Sequence, residues 1–387
     1  MITCSLVLML SAPLSHVVQW NTTFPSNDGH ALVDAAFGWG KIYASLGSNV
    51  SFLDSATGCI ISSEAIPPQG CYIWSSVISV IPLTQHNTAV VAGGNKLAAF
   101  HGTSFQHNTV WNSPEFDCPN LQSVGTKAVV VTNFTTYGIV NTASGSMWTL
   151  PYTTYKDYSN WDANLYLIEP SATAPLAVFF TLWPSFNASF NTTYAMYDGA
   201  TGKERWRKVY PGMKISWFDY HAATDLLLEF NLPDLLQARD WRKWDAPPVW
   251  KAAWASSASY QSVLISADLV FAYGSPTGQV EALDVRTGKH VWSATSQPRA
   301  SCKHVELVAG SAFWYFTYST AGDDNYLEVT VEKRRVDDGT LVWTHPLVAK
   351  VHYGWFSTKL SANGDLLYLW PNSQGSWMVA LNTSDAT

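Results

Sequence analysis

The side chains that could carry chemistry are few and widely spaced. Asp323-Asp324-Asn325 is the densest acidic cluster. Such oxygen donors suit a hard cation, but a turn between two strands explains them more simply. None of the ten histidines repeats at His-x-x-x-His spacing, and His101 and His107 read as surface or turn residues. Cys59, Cys71, Cys118 and Cys302 follow the N-terminal region and include no Cys-x-x-Cys. That pattern favours disulfides over metal or redox chemistry, with Cys59–Cys71 the shortest loop and Cys118–Cys302 the remainder. Four buried free thiols are the other reading. Gly274-Ser275-Pro276-Thr277-Gly278 places Pro276 where a nucleophile elbow needs serine. Gly38-Trp39-Gly40 lacks the third glycine and the helix of a phosphate loop. No Cys-x-x-Cys-His haem site occurs. Glycoside hydrolysis would need two carboxylates facing each other, which distance along a chain does not place.

The residues that repeat belong to turns. Asp284-Val285-Arg286-Thr287-Gly288-Lys289 closes one short strand, and Trp292 follows on the next. Asp284 can accept from backbone N–H groups two and three residues on. Gly288 supplies the positive φ of a bulged hairpin. Trp292 offers a flat face and one N–H for packing between sheets. The phrase recurs at Asp198 to Gly202 and Trp206, at Asp54 to Gly58 without its tryptophan, at Asn141 to Gly145 and Trp148, and at Gly339 with Trp343. Weaker traces lie between Lys96 and Trp111 and at Val379 to Asn382. The longer gaps divide into units of roughly 40–50 residues, the period of propeller blades. The expected fold is therefore an all-β propeller of four-stranded blades, eight in number, or seven plus an insertion.

The Ala-x-Asp-x-x-Thr-Gly-Lys-x-x-Trp phrase resembles the tryptophan-docking repeat of the PQQ-type, quinoprotein-like β-propeller superfamily. The resemblance runs over most of the chain as a pattern, and two copies carry it closely. It implies the fold and not an activity, because the superfamily holds both PQQ-dependent dehydrogenases and compact BamB-like scaffolds. The dehydrogenases of the alcohol-oxidising type carry adjacent cysteines over the quinone and acidic and Asn ligands to Ca²⁺. This chain has no Cys-Cys pair, and no position here matches those ligands. The expectation is a non-catalytic, protein-binding scaffold with no cofactor. The alternative is a PQQ- and Ca²⁺-dependent dehydrogenase of alcohols or sugars.

Composition narrows the setting. The 387 residues are 47% hydrophobic and 13% charged, with nineteen Trp and a net charge of −7. That balance suits a β-rich globular chain with a large core, and without a basic run it argues against nucleic acid as a partner. No apolar stretch reaches transmembrane length. Residues 1–15 read as a signal peptide with an apolar core but no basic start, or else as an ordinary first strand, and residues 16–387 as one domain. Six sequons, at Asn21, Asn49, Asn133, Asn187, Asn191 and Asn382, fit an extracellular or luminal glycoprotein, and a monomer is expected.

Two segments carry specific expectations. Val17 to Trp20 resembles the last strand of a unit, and Trp377 to Asn382 resembles the strand before a repeat turn. The N-terminal strand should therefore pair into the C-terminal blade and remove a free edge. Between residues 231 and 254 the repeat decays. Leu232 to Asp240 could form one or two helical turns started near Pro233. Trp241, Trp244, Trp250 and Trp254 either pack between sheets or form an aromatic partner surface.

Overall fold

A computed structural model describes thirty-two β-strands between residues 18 and 384 and part of the turns joining them. Side chains are described for most of residues 18–24, 40–65, 203–208, 219–253, 263–295, 307–318, 329–347 and 356–384. Among the described residues there is no helix. The strands form eight four-stranded antiparallel sheets, each a meander of consecutive strands except one.

The chain divides into two compact units. The first holds four sheets. They are β2 (Leu32–Gly38), β3 (Lys41–Leu46), β4 (Asn49–Asp54) and β5 (Ile60–Ala65); β6 (Ser79–Leu83), β7 (Thr88–Gly93), β8 (Lys96–His101) and β9 (His107–Asn112); β10 (Asn120–Val124), β11 (Ala128–Thr132), β12 (Tyr137–Asn141) and β13 (Met147–Leu150); and β14 (Ala163–Ile168), β15 (Ala177–Leu182), β16 (Asn191–Asp198) and β17 (Glu204–Pro211). The first strands of successive sheets lie beside one another, β2 by β6, β6 by β10 and β10 by β14.

The second unit repeats this plan with β18 (Lys214–His221), β19 (Leu226–Leu232), β20 (Leu235–Asp240) and β21 (Trp250–Ala253); β22 (Tyr260–Ser266), β23 (Leu269–Gly274), β24 (Gln279–Asp284) and β25 (His290–Thr295); and β26 (Cys302–Ala309), β27 (Phe313–Ala321), β28 (Tyr326–Arg335) and β29 (Leu341–His352). Its last sheet joins β30 (Phe356–Leu360), β31 (Leu366–Pro371) and β32 (Trp377–Asn382) to β1 (Val18–Thr23), which pairs antiparallel with β32. The N-terminal strand thus completes the C-terminal sheet.

The period of two divides each strand between two neighbours. In β23, Val270 and Ala272 pack with Leu228, Phe230 and Trp250 of the preceding sheet, whereas Phe271 and Tyr273 pack with Leu307, Trp314 and Phe316 of the following one. Tyr315 turns the other way, joining Phe356, Leu367 and Leu369. Sheets in the middle of the unit are therefore buried on both faces, which explains why their second and third strands read as continuous apolar runs.

The segment expected to be helical is strand β20. Leu235 to Arg239 are good helix formers, but β19 and β21 pair with the segment on both sides. Its burial is continuous from Leu236 to Ala238. The polar residue in that run, Gln237, is accommodated because its Nε2 donates to Glu229 Oε2 across the pair at 2.5 Å.

Candidate functional site

The repeat turns hold together by the expected bonds. Asp284 Oδ1 accepts from the N–H of Arg286 at 3.1 Å and of Thr287 at 2.8 Å, and from the Thr287 hydroxyl at 2.7 Å. Asp54 repeats the set with Ala56 and Thr57. Both carboxyls are held below the ordinary aspartate range, that of Asp284 chiefly by the Thr287 hydroxyl and that of Asp54 chiefly by Lys41. Arg335 takes the aspartate's place in the third such turn, and a bidentate bond to Asp337 braces it. A register shift sits beside each turn, after Phe52, Ala282 and Lys333. Asn141 and Trp148 lie in β12 and β13, and Asp198 ends β16. Gly145 and Gly202 lie outside the described residues, and Trp206 is half-buried in β17.

Two of these turns receive an indole from the sheet before them. Trp250 Nε1 donates to Val285 O at 2.9 Å, and Trp292 Nε1 donates to Val336 O at 2.8 Å. The rings lie flat over the turn glycines. A methyl built on Gly288 (φ +66°) would stand 2.4 Å from Trp250 Cε3, and one on Gly339 (φ +73°) 2.7 Å from Trp292 Cε3. Only glycine supplies both that backbone and that clearance. In the last sheet Asn382 occupies the Asp284 position, so Thr383 corresponds to Val285. The Thr383 carbonyl accepts from Lys333 Nζ at 2.6 Å instead of from an indole. Lys333 is buried, 3.9 Å over the Phe313 ring. Trp343, the residue in the docking position, is half-buried beside Tyr315 and His345.

Of the two readings of the tryptophans between residues 231 and 254, this geometry fits packing inside the fold for Trp241 and Trp250. Trp250 is a docking residue, and Trp241 is buried with its Nε1 donating to Asp225 Oδ1 at 2.6 Å. Neither offers a partner surface, while Trp244 and Trp254 lie outside the described residues. The signal for Trp250 was Val249-Trp250, which matches Val291-Trp292 and Val342-Trp343.

The polar groups near Trp241 gather at one end of the sheet β18–β21. Asp225 has φ +59° and accepts from Tyr220 Oη at 2.6 Å as well as from Trp241. Arg242 pairs with both Asp225 and Asp240 and covers the Trp241 ring. His221 Nε2 lies 2.6 Å from Ala267 O in the next sheet, and its Nδ1 lies 2.7 Å from the Thr224 hydroxyl. A carbonyl only accepts, so Nε2 carries the proton. Asp219 differs from the rest. It is solvent-accessible, and its only described bond is from the N–H of Tyr220. Protein crowds it, and the lost hydration raises its carboxyl above the ordinary aspartate range. An accessible carboxylate on the first strand of a sheet, with a perturbed affinity for protons, is the best candidate recognition group in this region.

Other expected groups are placed in part. Cys59 lies in the turn after β4 and Cys302 begins β26, while Cys71 and Cys118 lie outside the described residues. Asn21 is exposed in β1 and Asn382 half-buried at the end of β32. Asn49 and Asn191 lie in β4 and β16, and Asn133 and Asn187 lie outside the described residues, as do Asp323, Asp324 and Asn325. Among the described residues no group of three or more His, Cys, Asp or Glu could hold a metal ion. No helix there is long and apolar enough to cross a membrane.

No family model and no curated protein matches the sequence. Solved structures do. BamB from Moraxella catarrhalis aligns with a TM-score of 0.52 at 14% identity, over 95% of this chain and 99% of that one. The C-terminal WD40 domain of Sif2 aligns with a TM-score of 0.61 at 11% identity, over 96% and 99%. At such identities the likeness is one of fold, and the class it defines is the β-propeller built of four-stranded sheets.

Proposed function

We propose that this chain is a non-catalytic, protein-binding scaffold, an eight-bladed propeller of the PQQ-repeat type in which pairing of β1 with β32 closes the ring. One observation carries the reading: the groups that the repeat multiplies are consumed in bracing turns and joining sheets. The indoles of Trp250 and Trp292 and the carboxylates of Asp54 and Asp284 all have internal partners. What they leave accessible is a surface with Asp219 on it, suited to a cationic side chain of a protein partner. The secretory pathway, a cleaved segment over residues 1–15 and a monomeric state belong to this proposal, as does a Cys59–Cys71 disulfide. Joining Cys59 to Cys71 closes a loop of about a dozen residues at small entropic cost.

The test is a titration of the mature chain with PQQ and Ca²⁺, read as quinone absorbance and as melting temperature. A ligand that binds only the folded state must raise its stability. No shift at high ligand is expected. A saturable shift with dye reduction by alcohols or sugars would replace the scaffold with a quinoprotein dehydrogenase. In the positive arm, a partner trapped by crosslinking in secreting cells should bind the Asp219→Asn chain at least several-fold more weakly.

A further inference from the structure

We propose that Asn21 is an accessible N-glycan acceptor and that its glycan covers the open edge of β1. This inference rests on the secretory reading above. Asn21-Thr22-Thr23 lies within β1, the outermost strand of its sheet. The strand alternates, so Trp20 is buried while Asn21 and Thr23, acceptor and hydroxyl residue of the sequon, are exposed.

A second observation concerns the edge itself. Outer strands present unpaired N–H and C=O groups that can template pairing with another chain, and native proteins blunt them with charge or proline. Two of the other three outer strands of this unit do so: β21 carries Lys251, and β29 carries Pro346 and Lys350. Strand β1 is Val-Gln-Trp-Asn-Thr-Thr, with neither charge nor proline. A bulky, hydrated glycan on its exposed face would supply the missing protection.

Asn382-Thr383-Ser384 gives the contrast. Its Asn382 Oδ1 accepts from Ser384 N at 2.8 Å and Ser384 Oγ at 2.6 Å. Thr383 is buried, with its hydroxyl on Gly364 O. The middle residue of this sequon is thus packed into the sheet and the Asn382 amide oxygen is tied into the turn. Asn382 is half-buried where Asn21 is exposed, so it is the less accessible acceptor of the two.

The chemistry at Asn21 is a glycosyl transfer from an oligosaccharide carried on a polyprenyl diphosphate. The amide nitrogen forms a bond to the anomeric carbon, the bond from that carbon to the diphosphate oxygen breaks, and the amide gives up one proton. The full chain is expressed in N-glycosylating cells twice, with its own N-terminus and behind a heterologous leader. Glycopeptides from the secreted protein are released enzymatically in heavy-oxygen water and read by mass spectrometry. The expected result is conversion of Asn21 to labelled Asp in most chains and an unlabelled Asn382. Asn21→Gln and Thr23→Ala should each remove one glycan from the intact mass. An unoccupied Asn21, or an occupied Asn382 in folded protein, from the heterologous leader overturns the inference. Secretion and occupancy with that leader but retention with the native N-terminus would instead sink the secretory reading and leave the accessibility of Asn21 standing.

Discussion

Replacing Gly288 with alanine tests the docking geometry. The residue sits at φ +66°, and the new methyl would lie 2.4 Å from Cε3 and 2.6 Å from Cδ2 of Trp250. The left-handed backbone costs an L-residue about 1–2 kcal/mol. Forcing a methyl into a packed ring adds about 1–3 kcal/mol, so the total is about 2–5 kcal/mol. Gly364 provides the control. Its φ is +81°, but a methyl there would meet only Leu360 Cδ2, at 4.0 Å. Gly364→Ala should therefore carry the backbone cost alone, about 1–2 kcal/mol. Urea unfolding of wild type, both alanine variants, Trp250→Ala and the Gly288→Ala/Trp250→Ala double variant measures the terms. Trp250→Ala by itself should cost about 3–5 kcal/mol. With the ring gone, the added cost of Gly288→Ala should shrink to its backbone share. Equal costs for Gly288→Ala and Gly364→Ala, or the same Gly288→Ala cost with and without Trp250, would refute the docking argument.

Three more outcomes follow from contacts in the second unit. Lys333→Met removes the donor to the Thr383 carbonyl and leaves that acceptor buried, at about 1–3 kcal/mol; hydrogen exchange should quicken in β32 and β1 before the other sheets of the unit. Burial lowers the proton affinity of His345 in the folded state, so the unfolded chain binds protons more readily as pH falls below about 6.5. Stability should rise with pH across that window, and His345→Gln should flatten the slope measured by melting temperature. Asp284 is held below the ordinary aspartate range, so its contribution is present above about pH 4 and lost as pH falls further; the stability gap between wild type and Asp284→Asn should narrow in acid.

The sequence made the repeat turns legible because each of their residues has a local reason. Asp284, Thr287 and Gly288 bond within one turn, so their spacing survives in any context. The N-terminal strand could be matched to its sheet for a similar reason, since Val17 to Trp20 looks like the ends of other units. Strand β20 could not be read, because the preference of Leu-Leu-Gln-Ala-Arg for a helix is local, whereas its two strand partners are not. Lys333 was equally hidden. Between Glu332 and Arg334 it reads as a solvated residue, yet all three are buried. Arg334 bonds Glu332, Gly339 O and Thr295 O, joining two sheets. Asp219 gave no signal, since its raised carboxyl comes from burial in the fold and no local pattern marks it.

The docks within the second unit all point downstream. Trp250 waits for Val285, Trp292 for Val336, and Lys333 for Thr383. A chain emerging from the ribosome thus always has one sheet made but not fastened, its indole or ammonium lacking an acceptor until the next meander appears. The delay is greatest for β1, which is synthesised early and reaches β32 only near the end. Throughout translation Trp20 and its strand must be kept from pairing with something else. Such long-range closure slows folding and lengthens exposure, so the cell's demand for holding factors should fall on the N-terminal strand more than on any later part of the chain.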